Sequence, residues 1–379
     1  MKKGWERKKL GDVATLQRGF DLPTQERISG DVPLVTSSGI TDTHNKSLVP
    51  GPGVATGRSG SIGNVFYIED DFWPLNTVLY VKDFHGNDPR FVFHLLKHFD
   101  LKRFASGSGV PTLNRNFVHD EIVNVPPLAE QRRIVGVLDE AFAGLATAQA
   151  NAEKNLQNAR ALFESHLQSV FSQRGKGWVD KKLEDVLIVQ PQNGWSPPAA
   201  NHAETGTPVL TLSSVTGFLF RADKLKYTSA KTDPKARYWI QNGDFLITRS
   251  NTPELVGHVA IATGIERPTI YPDLIMRMKP DPKQAVTEFL YYQMRTPTLR
   301  EEVTGRAQGA NPTMKKISNG AVRTLPISLP PIEEQQAIVT QLDALSTETQ
   351  RLASLYEQKL AALAALKKSL LHEAFSGEL

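Results

Sequence analysis

The sequence of 379 residues contains no cysteine. A chain without thiols cannot carry a disulfide scaffold, a Cys-ligated zinc or iron-sulfur site or a cysteine nucleophile, and it suits a reducing compartment. It also lacks any run of the roughly 18 to 20 apolar residues that a membrane-spanning helix needs. Its basic first residues are not followed by the apolar stretch of a secretory signal. These absences predict a soluble cytoplasmic protein with no membrane partner, and the length suggests two or three domains.

Motifs for catalysis are equally scarce. There is no GxxxxGK[ST] phosphate loop and no HExxH pair, so we expect no metal site. Ser196-Pro-Pro-Ala199 lacks the aromatic residue with which an amino-methyltransferase holds a flipped base, and no S-adenosylmethionine loop accompanies it. Pro272-Asp273 and Asp281-Pro-Lys283 fit a loose nuclease pattern, but residues 274–279 are predicted to be one strand, which would hold the carboxylates about 20 Å apart. The sequence therefore predicts a chain that is not itself an enzyme and has no cofactor of its own.

An internal repeat organises the chain. Pro126-Pro-Leu-Ala-Glu-Gln-Arg-Arg-Ile-Val135 recurs as Pro330-Pro-Ile-Glu-Glu-Gln-Gln-Ala-Ile-Val339, 204 residues later, and 16 of 48 positions are identical across residues 126–173 and 330–377. The opening Trp5-x-x-Lys-Lys-Leu-x-Asp-Val13 recurs from Trp178. The repeat predicts four segments: a variable domain over 1–125, a helix over 126–173, a second variable domain over 174–328 and a second helix over 329–379.

Fainter landmarks keep the same order in the two variable segments. The loop after Arg58 aligns with the loop after Arg249, Phe91 with Phe289, and Gly109-Val-Pro-Thr-Leu113 with Ala310-Asn-Pro-Thr-Met314. Short strands near residues 32–36, 64–68, 77–81, 209–212, 245–248 and 259–262, with helices near 91–104 and 287–303, predict a mixed α/β fold for both segments.

The two helical segments carry apolar residues at alternating spacings of three and four, as in a coiled coil. A helix of about 40 residues is roughly 60 Å long, and one that is amphipathic over that length needs a partner, which its own copy can supply. The predicted fold is therefore α+β: two mixed α/β domains separated by a coiled-coil-like rod of two long antiparallel helices, with an approximate two-fold axis.

Local charge points to the variable domains as a binding surface. The chain has 44 basic and 40 acidic residues. By segment, 1–125 carries a net +1, 126–173 a net −1, 174–328 a net +7 and 329–379 a net −3. The positive excess therefore lies in the second variable domain, and the helices are acidic.

Two surfaces in each variable domain are candidates for nucleic-acid binding. Arginine can bind guanine through two hydrogen bonds, asparagine can read adenine, and hydroxyl groups can hold phosphate. The first surface is the pair of equivalent loops with Arg58, Ser59 and Ser61 in one half and Arg249, Ser250, Asn251 and Thr252 in the other. The second comprises Lys102, Arg103, Asn114, Arg115 and Asn116 in the first half and Arg306, Gln308, Asn311, Lys315 and Lys316 in the second.

The architecture resembles a known family. Two variable segments, each opening on the Trp5 or Trp178 pattern and each followed by a [VL]-P-P-[LI]-x-E-Q-x-x-I-V helix, are similar to the specificity subunit of type I restriction-modification systems, the HsdS family. The resemblance covers essentially the whole chain.

The resemblance implies a non-catalytic reader of double-stranded DNA. Each variable segment would be a target recognition domain for one half of a split, asymmetric sequence, and the helices would fix the spacing. Two modification (methyltransferase) subunits would dock on the repeated motif and supply S-adenosylmethionine chemistry, while restriction subunits would supply ATP-driven, Mg-dependent cleavage. The docking candidates are Pro127, Glu130, Gln131 and Ile134 with their copies Pro331, Glu334, Gln335 and Ile338.

Two other functions remain open from the sequence. One is a standalone DNA methyltransferase with a fused recognition domain, which would require a cofactor site that the sequence does not show. The other is a coiled-coil scaffold whose variable domains bind proteins.

Overall fold

The computed structural model describes residues 3–107, 111–309, 311 and 313–379. The chain forms two compact units, one of Met1–Asn155 with Tyr356–Leu379 and one of Leu156–Leu355. No helix in the described part of the chain is long and apolar enough to cross a membrane.

The strands of the first unit are β1 (Glu6–Lys9), β2 (Thr15–Arg18), β3 (Val32–Thr36), β4 (Gly39–His44), β5 (Gly53–Gly57), β6 (Val65–Ile68), β7 (Trp73–Pro74), β8 (Val78–Asp83), β9 (Ala105–Ser106), β10 (Thr112–Leu113) and β11 (Ile122–Val125). Its helices are α1 (Pro89–His98), α2 (Arg115–His119), the first part of α3 (Leu128–Ser172) and the last part of α7 (Ile332–Ser376). The main sheet is four-stranded and antiparallel, in the order β2-β8-β5-β6. A smaller sheet has the order β4-β3-β7, and β1 pairs with β11 and β9 with β10.

The second unit repeats this plan. Its strands are β12 (Val179–Lys182), β13 (Leu187–Asn193), β14 (His202–Ala203), β15 (Thr207–Leu210), β16 (Leu225–Thr228), β17 (Phe245–Thr248), β18 (Ser250–Asn251), β19 (Val259–Ile261), β20 (Ile275–Pro280), β21 (Lys315–Lys316) and β22 (Pro326–Leu329). Its helices are α4 (Thr287–Arg295), α5 (Pro297–Arg306), α6 (Asn319–Arg323), the last part of α3 and the first part of α7. The main sheet is four-stranded and antiparallel, in the order β13-β20-β17-β19. A three-stranded sheet has the order β14-β16-β15, β12 pairs with β22, and β18 pairs with β21.

The helix predicted over 287–303 is in fact two helices. Helix α4 ends at Arg295, Thr296 has an extended backbone, and α5 begins at Pro297. Proline disfavours a helical conformation in the residue before it and suits the first position of a new helix, which explains the break.

Both long helices begin just after a Pro-Pro pair, as predicted. Helix α3 runs from Leu128 to Ser172 and α7 from Ile332 to Ser376, each with 45 residues. The pair is antiparallel within the first unit, because Arg133 near the start of α3 donates to the Leu379 carbonyl at 2.9 Å, whereas Phe142 further along lies under Lys367, with 5.3 Å from Nζ to the ring centroid.

Each unit encloses a core between its main sheet, one short helix and the long helices. In the first unit Phe91 and Leu95 of α1 pack with Leu138, Leu371 and Phe375. In the second unit Phe289 of α4 packs with Phe163, Leu167, Val339 and Leu342. The burial of apolar surface in these contacts holds the long helices to the sheets.

The internal duplication extends to individual contacts. The ring of Phe91 lies 5.4 Å from that of Phe375 in the first unit, and the equivalent rings of Phe289 and Phe171 lie 5.1 Å apart in the second. A mixed α/β fold, two long antiparallel helices and an internal duplication are thus all present.

One predicted landmark is out of register. Leu113 donates its backbone N–H to the Arg58 carbonyl at 2.8 Å, and Ile317 donates to the Arg249 carbonyl at 2.9 Å. Leu113 therefore corresponds to Ile317 and not to Met314. The predicted alignment also included residues 109, 110, 310 and 312, which lie outside the described residues.

Candidate nucleic-acid interface

The Arg58 loop follows strand β5 of the main sheet in the first unit. The Arg58 backbone N–H donates to the Thr77 carbonyl at 2.8 Å, and its carbonyl accepts from Leu113. One guanidinium nitrogen, Nη1, lies 3.4 Å from the Asn76 carbonyl oxygen. These bonds fix the root of the side chain, so the guanidinium is held at the end of the strand.

The Arg249 loop repeats this geometry in the second unit. The Arg249 N–H donates to the Leu274 carbonyl at 2.7 Å, its carbonyl accepts from Ile317, and Nη1 lies 3.5 Å from the Asp273 carbonyl oxygen. Because each backbone contact of Arg58 has a counterpart, the two arginines occupy equivalent positions, as the sequence alignment predicts.

The two surfaces predicted separately form one surface in each unit. Ser59 forms a β-bridge with Thr112, two residues before Asn114. In the second unit β18 pairs with β21, so Ser250 lies opposite Lys316 and Asn251 opposite Lys315. The Arg58 and Arg249 loops therefore lie beside the segments that carry the second group of candidates.

In the first unit these residues line an open pocket of about 410 Å³. Arg58 shares it with Arg115, Asn114 and Asn116, and also with Arg18, which lies outside both surfaces predicted from the sequence. Arg18 ends strand β2 and pairs with Asp21 at 3.0 Å. Three guanidinium groups beside two amides can hold phosphate and donate to base edges.

His119 fixes the position of helix α2, which carries Arg115. The Leu16 N–H donates to its Nε2 at 2.8 Å, which ties α2 to strand β2. Burial, and then the charge of Arg115, lower the pKa of His119, so the imidazole stays neutral and keeps its acceptor nitrogen.

A second pocket adjoins the first in the first unit. It is lined by Asp21, Arg27, Ser38 and Asn76, and the Ser38 and Ser61 hydroxyl oxygens lie 3.4 Å apart. The equivalent pocket of the second unit includes Ser196, His202, Lys226 and Tyr227.

At equivalent positions beside these two pockets, the carboxylate and its hydrogen-bond donor occur in opposite order along the chain. The Asn76 amide donates to the Asp21 carboxylate in the first unit, and the Ser196 hydroxyl donates to the Asp273 carboxylate in the second. A glycine lies two residues before Asp21 and two residues before Ser196, and this shared spacing is the sequence signal for both pockets. The two glycines are Gly19 and Gly194. A Cβ at either would lie within 2.3 Å of a backbone oxygen, so both must stay glycine.

Several other candidates are committed to contacts within their own unit. Ser250 is 1% exposed. Arg103 pairs with Glu121 at 2.7 Å, and Arg306 pairs with Glu302 at 2.7 Å. The Asn311 side chain accepts the Thr313 N–H at 2.9 Å, and Lys315 Nζ donates to the Gly309 carbonyl at 2.9 Å. Thr252 is half-buried and donates its N–H to Asn251. Lys316 is exposed.

The repeated Pro-Pro-x-x-Glu-Gln motif has a structural role in addition to the docking role predicted from the sequence. Gln131 and Gln335 are 2% and 1% exposed. The Gln131 amide donates to the Pro126 carbonyl at 2.9 Å while its oxygen accepts the Asp88 N–H just before α1. Gln335 makes the same two contacts, with the Pro330 carbonyl and the Val286 N–H just before α4. Each glutamine thus joins a long helix to the short helix of its own unit.

The docking candidates differ in exposure. Ile134 is 1% exposed, so it faces the core together with Gln131 and Gln335, and Ile338 and the two glutamates are half-buried. Glu334 accepts from the Trp178 indole at 3.1 Å, and Glu130 accepts from Arg133 at 2.8 Å. Pro127 and Pro331 are exposed. A partner that docks here would touch the prolines and glutamates and not the buried glutamines.

Comparison with known proteins assigns the chain a family. A family model described as a type I restriction modification DNA specificity domain matches residues 2–156 and 175–358. The EcoKI specificity subunit of Escherichia coli K12 is 26% identical over 68% of this chain, and the aligned region spans 57% of that protein. The EcoBI specificity subunit of Escherichia coli is 23% identical over 99% of this chain and 86% of that protein.

Two solved structures have the same fold. A chain from work on complex assembly and conformational transition of the type I R-M system superposes with a TM-score of 0.77 at 20% identity, covering 100% of this chain and 99% of that chain. The HsdS subunit of Thermoanaerobacter tengcongensis gives a TM-score of 0.61 at 20% identity, covering 100% of this chain and 98% of that one. At these identities the superpositions support the fold alone.

Proposed function

Because the chain belongs to the type I restriction-modification DNA specificity family, we propose that each of its units reads one half of a bipartite, asymmetric DNA sequence. The observation that carries this proposal is the equivalence of Arg58 and Arg249, each held by the same backbone contacts at the end of a strand. One surface in two copies suits a target in two parts.

The different surroundings of the two arginines support an asymmetric target. Arg58 lies with Arg18, Arg115 and two asparagines, whereas Arg249 lies beside Asn251 and Lys315. Arginine pairs with guanine and asparagine with adenine, each for about 1–3 kcal/mol of discrimination, so two different sets of side chains suit two different half-sequences.

The chain itself acts as a non-catalytic reader in this proposal. Two modification subunits dock on the exposed prolines Pro127 and Pro331 and the adjacent glutamates, and they supply the S-adenosylmethionine chemistry. Restriction subunits bring the ATP- and Mg-dependent steps, and the complex works in the cytoplasm. The modest net charge of +4 supports a need for these partners, since phosphate neutralisation dominates DNA affinity.

The long helices set the spacing between the half-sequences in this proposal. Each helix contributes to both compact units. The buried Gln131 ties the start of α3 to the first unit, and the buried Gln335 ties the start of α7 to the second. A helix has a fixed rise per residue, so its length can serve as a ruler.

The experiment is a selection of duplexes from a random pool with the chain and its modification subunits together. The expected product is a motif of two short sequences at a fixed gap, and the same motif should lose methylation in cells that lack this gene. Enrichment of a single undivided motif would contradict the two-reader proposal. Binding of S-adenosylmethionine by the purified chain alone would favour the standalone methyltransferase.

A further inference from the structure

A cluster of positive charge lies in the first unit where the end of α1 meets the last turns of α7. Five basic residues and one acidic residue line an open pocket of about 550 Å³, together with Phe99: Lys97, His98, Lys367, Lys368 and His372 with Asp100. None of them belongs to the candidate DNA surface.

The second unit shows which residues the duplicated fold carries at the equivalent positions. The hydrogen-bonded pair His94–Asp139 in the first unit corresponds to Tyr292–Asp343 in the second, which aligns α1 with α4 and α3 with α7. By the same correspondence Lys97 matches Arg295, and Lys368 matches Glu164. Arg295 and Glu164 form an ion pair at 3.1 Å.

The first unit has lost that ion pair and gained like charges. Lys368 replaces the glutamate, and Lys367 replaces Phe163, the ring over which the Arg295 guanidinium lies at 4.8 Å. Partial loss of solvent, and then the charge of Lys367, lower the pKa of Lys97. Three exposed lysines thus line the pocket where the duplicate has a neutralised pair.

Two imidazoles extend the cluster. The His98 ring lies 5.9 Å from that of His372 and stacks on Phe375 at 5.4 Å. Partial burial, and then His372, lower the pKa of His98. The charged form of His98 is therefore disfavoured by burial and then by His372, and a bound anion would stabilise it.

We propose that this pocket binds a small phosphate-bearing anion. Ammonium and imidazolium groups hold phosphate oxygens through charge-assisted hydrogen bonds. The volume lies within the roughly 300–1,000 Å³ of small-molecule sites, and the open shape leaves room for a chain of phosphates. Three lysines against the single Asp100 give the lining a net positive charge, which favours a multiply charged anion over a monoanion.

The test is titration calorimetry of the full chain with sodium tripolyphosphate and, separately, with metal-free ATP. Lys368→Glu, which restores the charge found in the second unit, should weaken binding of both by about tenfold or more. Lys359→Glu makes the same charge change on an exposed position of α7 outside the pocket and should leave binding unchanged. Lys368→Glu should also raise the melting temperature, so a loss of binding cannot be attributed to unfolding.

Tripolyphosphate and ATP distinguish the sources of phosphate, and duplex DNA and polyglutamate are tested for comparison. Equal binding of tripolyphosphate and ATP indicates a polyphosphate site, and tighter binding of ATP indicates that the base also contacts the pocket. In ¹³C-histidine spectra, tripolyphosphate should raise the pKa of His98, which burial and His372 lower in the free protein. Binding of duplex DNA or of polyglutamate with no binding of tripolyphosphate would overturn the proposal, as would equal losses in both lysine variants.

Discussion

The side-chain oxygen of Gln131 accepts the backbone N–H of Asp88 at 2.9 Å. That N–H precedes the first turn of α1, so a residue of the long helix satisfies a donor at the start of the short one. The same contact joins Gln335 to Val286.

Replacing either glutamine with alanine should destabilise its own unit by about 3 kcal/mol, because buried donors and acceptors lose their partners. Hydrogen exchange should accelerate at Asp88 in Gln131→Ala and at Val286 in Gln335→Ala. Gln336→Ala, at an exposed position one residue further on, is the control and should change neither amide. Uniform acceleration across both units would show that the glutamines do not act locally.

Arg58→Ala should relax one half of the DNA target and leave the other half intact, and Arg249→Ala should do the reverse. Loss of a bidentate guanine contact amounts to about 1–3 kcal/mol, or tenfold and more in discrimination. Duplex selection in the presence of the modification subunits measures it. Arg351→Ala removes an arginine of α7 that is paired with Glu348 outside both candidate surfaces, and it should leave both halves unchanged. Equal relaxation of both halves in one variant would rule out separate readers.

Deleting seven residues from both α3 and α7 near the middle of each helix should shorten the gap between the half-sequences. Seven residues rise by roughly 10 Å, which corresponds to roughly three base pairs. Both half-sequences should stay the same. Deletion from one helix alone is the control, since it mismatches the antiparallel pair and should lower stability. A changed half-sequence with an unchanged gap would contradict the proposal that helix length sets the gap.

Acid should destabilise the second unit through His258. This side chain is 7% exposed, its Nδ1 accepts the Gly217 N–H at 2.9 Å, and its ring stacks on Phe218 at 4.1 Å. Burial, and then Arg300, lower its pKa to about 4. The unfolded chain binds the proton near pH 6.5, so the neutral imidazole stabilises the fold above that pH and the stabilisation falls away between about pH 6.5 and 4.

The loss attributable to His258 is about 3 kcal/mol at the acid end. Urea unfolding at pH 7 and pH 4.5 should show a steeper loss in the wild type than in His258→Gln. His202→Gln, at an exposed histidine of the same unit, should follow the wild type. Identical slopes in all three proteins would contradict the assignment.

Much of the architecture could be predicted because the duplication repeats its strongest local signals. The Pro-Pro pairs fix where α3 and α7 begin, and the strand before each arginine loop is a short apolar run. The alignment of Leu113 with Met314 failed because a local Pro-Thr similarity competed with the true register. Only the backbone bonds to Arg58 and Arg249 identify Ile317 as the equivalent residue.

The candidate site was less predictable than the fold. Arg18 enters the pocket from a strand some 40 residues before Arg58 along the chain. Gln131 and Gln335 are polar residues in a repeated motif, a pattern that suits a docking surface as well as a buried bridge. Their burial depends on helices α1 and α4, which approach from elsewhere in the sequence.

The division of the chain into units has a consequence for synthesis. The second unit is one continuous stretch, Leu156–Leu355, whereas the first needs Leu371 and Phe375 beside Phe91 and Leu138 to close its core. During synthesis, the first unit therefore cannot close its core until the end of α7 has left the ribosome. The second unit can complete its core earlier, while the first unit keeps apolar surface exposed to chaperones.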